Sequence, residues 1–78
     1  MPTNSSVVYS QPNCIGCKAA KNILTERGFV VEERDIADNA DYKQELFLAV
    51  PSAKSVPQVF VNGQHIGGLT ELRAFLLA

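Results

Sequence analysis

Asn13-Cys14-Ile15-Gly16-Cys17 is the stretch on which the reading of this chain turns. It follows a short β-prone run, Val7-Val8-Tyr9, and a loop at Ser10-Gln11-Pro12-Asn13. From Cys17 to Arg27 the spacing is helical. Cys17, Ala20 and Leu24 share one side, Ile23 adjoins it, and Gly28 supplies the stop. Asn13-Cys14 then falls where the helix cap and first turn belong, which makes the two thiols unequal. Cys14 lies at the helix N-terminus, where free N–H groups and the helix dipole favour a thiolate. Cys17, one turn inside, faces the protein. The exposed sulfur is expected to attack and the inner one to resolve, while Gly16 keeps the approach to both open.

Outward from the cysteines, Phe29 to Arg34 reads as a second strand whose charged half, Glu32-Glu33-Arg34, suits a sheet edge. Asp38 or Asn39 caps a second helix reaching Val50, with Tyr42, Leu46, Ala49 and Val50 at helical spacing and Pro51 beyond. Gln58-Val59-Phe60-Val61 and Gln64-His65-Ile66 form a hairpin about Asn62-Gly63, a strong type I′ turn signal. Gly67-Gly68 breaks the second of these strands. Leu69 to Leu77 makes a last helix with Leu69, Leu72, Phe75 and Leu76 facing inward. The order β-α-β-α-β-β-α implies an α/β fold with a right-handed parallel crossover, a closing antiparallel hairpin and helices on the faces of a mixed four-stranded sheet.

The 78 residues make one domain, with residues 1–6 expected as a flexible polar tail. A formal net charge of −1, with acids and bases interspersed, lacks the basic footprint that nucleic acid or anionic lipid requires. No apolar run nears the ~20 residues that cross a bilayer. The polar start, without basic residues or an apolar centre, does not read as a secretory signal, so a cytoplasmic location is expected.

The cysteine pair has rival readings. A structural staple across so small a loop would stabilise little. A closed zinc site wants four ligands, and the chain offers Cys14, Cys17 and the distant His65, so no metal site is expected within one molecule. A cluster shared between two molecules and completed by external thiols stays open. His65 reads as a surface residue of a strand near a turn.

Taken together, Val7 to Cys17 and Ser55-Val56-Pro57-Gln58-Val59-Phe60-Val61-Asn62-Gly63-Gln64-His65-Ile66-Gly67-Gly68 closely resemble the dithiol glutaredoxins. The resemblance runs from about Val7 to the C-terminus with its motifs in order. It implies a thioredoxin fold, a cis bond between Val56 and Pro57, and thiol–disulfide exchange through Cys14 and Cys17 with glutathione as co-substrate. It implies no tightly bound cofactor.

By the same resemblance, Val56, beside Pro57, would hold the cysteinyl backbone of glutathione. Lys54 and Gln58 lie where the family receives its glycine carboxylate. Gly68, Leu69 and Thr70 match the segment taking the γ-glutamyl end on N–H groups that open the last helix. Gln11 stands in this groove where the family often has lysine. Ile15-Gly16 replaces the frequent Pro-Tyr, and Thr70 a common aspartate. Disulfide-containing proteins, ribonucleotide reductase among them, are the implied clients of a monomer. Two alternatives are a redoxin reduced by thioredoxin reductase and a glutathione-assisted iron–sulfur dimer. Tyr9 reads as core packing, and Lys18 and Lys21 as lysines near the site.

Overall fold

The computed structural model describes residues 4–77. Its elements are β1 (Ser5–Ser10), α1 (Ile15–Glu26), β2 (Val30–Asp35), α2 (Ala40–Ala49), β3 (Gln58–Val61), β4 (Gln64–Gly67) and α3 (Leu69–Leu77). The sheet order is β2-β1-β3-β4. β1 runs parallel to β2 and antiparallel to β3, and β3 pairs antiparallel with β4. This is the four-stranded mixed sheet with three helices that the element order implies.

Strand alternation sorts the residues onto two faces. Val8, Val59 and Val61 point to the face covered by α1 and α3, where Ala20, Leu24 and Leu72 complete a buried core. Tyr9, next along β1, points the other way and meets Glu45 of α2. β2 lies at an edge, as its charged half requires. Asn62 and Gly63 both take positive φ, 49° and 85°, which fits the type I′ turn expected of that dipeptide.

Several boundaries shift, each for a local reason. β1 begins at Ser5, so Ser5 and Ser6 of the expected tail belong to the sheet, and residues 1–3 lie outside the described residues. The strand extends because Asn62 N–H donates to the Ser5 carbonyl at 2.9 Å, Ser5 N–H donates to Asn62 Oδ1 at 3.1 Å and the buried Ser6 donates to the Val30 carbonyl. β2 starts one residue after Phe29, whose N–H is bonded to the Leu24 carbonyl while Gly28 N–H bonds that of Thr25. Those two bonds, with Gly28 at φ 85°, form a Schellman close to α1. Phe75 does not face inward and is 41% exposed. It sits roughly 90° around the helix from the side shared by Leu69, Leu72 and Leu76. In α2 the expected apolar side is thin, with Leu46 its buried residue and Ala49 exposed.

Replacing Leu72, fully buried between the sheet and α1, by alanine is expected to cost about 3 kcal/mol in denaturant unfolding. Glu33 supplies a pH-dependent increment. The hydrogen bond from Lys21, then that from Ser10, holds its carboxyl below the ordinary 4.5. This contribution is present above that value and is lost as pH falls through the lower folded value. The melting-temperature gap between the protein and Glu33→Gln should therefore be measurable at neutral pH and close on acidification. Because Glu33 is half exposed, that gap should be small.

Candidate active site

The chain leaves β1 at Ser10 and turns through Asn13, which takes φ 60°, an angle asparagine tolerates better than most residues. That turn passes the capping role from Asn13 to Cys14. Cys14 is extended, and its Sγ accepts the Cys17 N–H at 3.1 Å. α1 consequently starts at Ile15, and no acidic side chain competes within its first turn. A reduced Cys14 thiolate would meet a free N–H and the positive end of the helix together.

Cys14 and Cys17 are disulfide-bonded, with Cα atoms 5.2 Å apart. Cys14 is half-buried whereas Cys17 is 2% exposed. An incoming sulfur can therefore reach Cys14 and is screened from Cys17. Ile15 lies almost fully exposed between them, at 85%.

Pro57 stands beside this turn. The Val56–Pro57 bond is cis, and the Val56 carbonyl lies 4.0 Å from Cys14 Sγ. A Cβ on Gly16 would come 3.4 Å from Pro57 Cδ, and one on Gly68 would come 3.5 Å from the Pro57 carbonyl. Pro57 is thus gripped between the start of α1 and the start of α3. This contact gathers Cys14, Cys17, Val56, Pro57 and Gly68 into one site.

A groove of about 360 Å³ opens on the Val56 side. Gln11, Lys54 and Val56 line it, joined by Lys43, Leu46 and Phe47 of α2. Its two cations face no carboxylate among the lining residues, so it suits an anionic chain with some apolar surface. Gly68, Leu69 and Thr70 lie past Pro57, outside that groove, with Gly68 and Leu69 half-buried and Thr70 exposed.

Gln58 is placed differently. It is 9% exposed, its Nε2 donates to the Ser55 carbonyl at 3.0 Å, and its Oε1 faces His65 Nε2 at 2.8 Å. Its amide braces the loop from behind instead of lining the groove. His65 is exposed and also packs against Phe60. Lys18 is exposed, whereas Lys21 pairs with Glu33 at 2.9 Å. Tyr9 is a core residue, 5% exposed.

Sequence reasoning missed two residues. Lys43 enters the groove only because α2 folds across the end of β1. Glu71 places Oε1 2.8 Å from Gly68 N–H, closing the start of α3 as the acidic member of a capping box. The spacing Gly68…Glu71 carried that signal.

A Glutaredoxin family profile matches residues 7–66. The chain belongs to the glutaredoxin family. It is 34% identical over 67 residues to Glutaredoxin 3 of Escherichia coli (strain K12), covering 86% of this chain and 80% of that protein. The crystal structure of the buckwheat glutaredoxin–glutathione complex superposes with a TM-score of 0.80 at 26% identity, over 95% of this chain and 69% of that one. The crystal structure of the thioredoxin-like protein BC3987 superposes with a TM-score of 0.77 at 26% identity, over 94% and 99% of the two chains. The fold is the thioredoxin fold, and the Cys14–Cys17 pair makes this glutaredoxin a thiol–disulfide oxidoreductase.

In the reduced protein, iodoacetamide should alkylate Cys14 well before Cys17 at neutral pH. The Cys14 rate should fall on acidification as its thiolate is protonated. Mass spectrometry of digests taken over time reads both sites, and equal labelling would contradict the capped-thiolate geometry.

Proposed function

We propose that this glutaredoxin uses glutathione to reduce mixed disulfides and protein disulfides. The reading rests on one observation above all: the Val56 carbonyl lies against Cys14 Sγ at the mouth of a groove that carries two cations. A γ-glutamyl-cysteinyl-glycine fits such a place by its chemistry. The backbone of Val56 pairs with the cysteinyl unit and delivers its sulfur to Cys14. The glycyl carboxylate lies toward Lys43 and Lys54, with Gln11 as a neutral partner. At the far end, N–H groups of Leu69 and Thr70 receive the glutamyl carboxylate, and Glu71 meets the ammonium.

With a glutathionylated client, the Cys14 thiolate attacks the glutathionyl sulfur, and the client thiolate leaves. A second glutathione thiolate attacks the same sulfur, releasing glutathione disulfide and restoring the Cys14 thiolate. With a protein disulfide, Cys14 forms a mixed disulfide and expels one client thiolate. Cys17, deprotonated as it attacks, then strikes the Cys14 sulfur, expels the second thiolate and closes the Cys14–Cys17 disulfide. Two glutathione molecules reduce that bond. Reducing equivalents of this kind belong to the cytoplasm.

A second reading, a redoxin fed by thioredoxin reductase, is favoured by the close fit to a thioredoxin-like protein over nearly its whole length and by Ile15-Gly16 between the cysteines. Reduction of a glutathione mixed disulfide, coupled to glutathione reductase and NADPH, separates the two. Turnover with glutathione alone is expected, and turnover solely with thioredoxin reductase would overturn the proposal. Cys14→Ser should abolish both reactions. Cys17→Ser should keep the glutathionylated substrate and lose the protein disulfide.

A further inference from the structure

One wall of the groove is α2, and α2 is weakly held by apolar contact. Its buried residue is Leu46, while Phe47 and Leu48 are 47% and 76% exposed. A helix of ten residues with so little buried surface needs another attachment. Arg34 of β2 supplies one. Its Nη1 donates to Glu45 Oε1 and to the Tyr9 hydroxyl, each at 2.9 Å, and Tyr9 donates onward to the same Glu45 oxygen at 3.2 Å. The three groups close a triangle across β1, β2 and α2.

The guanidinium carbon also lies 5.6 Å from the Tyr9 ring centre and 5.7 Å from that of Tyr42, so α2 grips it from a second position. Glu32 takes the remaining face through Nε. Arg34 is a quarter exposed and Tyr9 is buried. This is a partly desolvated, planar, multidentate cation, which holds better than an ordinary surface ion pair. Glu45 lies one position before Leu46 and two after Lys43, both of which line the groove.

We infer that Arg34 is a positioning residue for the substrate groove: through Glu45 and Tyr42 it seats α2 and thereby sets the distance between Lys43 and Val56. The inference rests on the glutathione reading for its substrate and on this polar clamp for its mechanism. Arg34 touches no substrate and no reacting sulfur. Loosening it widens the groove, which a small tripeptide spanning both walls feels strongly. A protein client, held over a broader surface around Cys14, feels it less.

The test compares the protein with Arg34→Met, which keeps the stem's packing, and Arg34→Lys, which keeps the charge without the fork. For a glutathionylated peptide, Arg34→Met should raise KM about fivefold or more while kcat stays within about twofold. Arg34→Lys should recover part of the loss. The rate and pH dependence of Cys14 alkylation should not move. Should Arg34→Met fail to fold, Glu45→Ala removes the acceptor shared by Arg34 and Tyr9 and carries the same expectation.

An unchanged KM in a folded Arg34→Met or Glu45→Ala variant would overturn the inference. So would a fall in kcat alone, or altered Cys14 alkylation. If the unaltered protein turned over no glutathione substrate, the earlier reading would fail instead. Hydrogen exchange of α2 amides then decides the clamp separately. Faster exchange in α2 at unchanged exchange in β1 and β3 upholds it, and no difference overturns it.

Discussion

The first turn of α1 stands against Pro57 at Gly16. A β-carbon at Gly16 would come 3.4 Å from Pro57 Cδ, an ordinary van der Waals contact. From this contact follow the nearness of Cys14 to the Val56 carbonyl, the burial of Cys17 and the place of Gly68 on the other side of the proline. The same turn makes Cys14 its own helix cap, so the residue that begins α1 is also the one whose thiolate the helix stabilises. Structure and chemistry here use one set of N–H groups.

The site lies between two supports of different character. On one side α1 and α3 press an apolar core onto the sheet, with Leu24, Leu72, Val8 and Val59 fully covered. Such packing resists local opening. On the other side α2 rests on one buried leucine and a polar clamp. The sulfurs are thus fixed to the well-packed half, while the groove beside Val56 borrows a wall from α2. Thiol exchange needs three sulfurs aligned within a narrow range. The well-packed half meets that need for Cys14 and Cys17.

Most of the fold was legible because its signals are local. Asn62-Gly63 fixes a hairpin, Gly28 ends a helix, and two cysteines beside a loop announce a capped turn. Among the missed features, Glu71 was local, whereas Lys43 and Arg34 depend on contacts between separate elements. The Gln58 amide turns back to the Ser55 carbonyl three residues away, and its His65 partner is brought near by the pairing of β3 with β4. Lys43 reads as one lysine on a helix until α2 is folded across the groove. Arg34 reads as one charge among several on an edge strand, and its role appears only when Tyr9, Tyr42 and Glu45 converge on it. Phe75 misled for a related reason, because an apolar residue at near-helical spacing faces inward only if the sheet reaches that far around the helix.

The central claim, that Cys14 works in a groove built on Val56 and walled by Lys43 and Lys54, is tested most directly by NMR. The protein would be Cys17→Ser carrying glutathione on Cys14. The account expects contacts between the cysteinyl unit and the backbone of Val56, with shifts at Lys43, Lys54, Gln11, Leu69 and Thr70. A glutathionyl group that left those resonances unmoved and tumbled freely from Cys14 would contradict it.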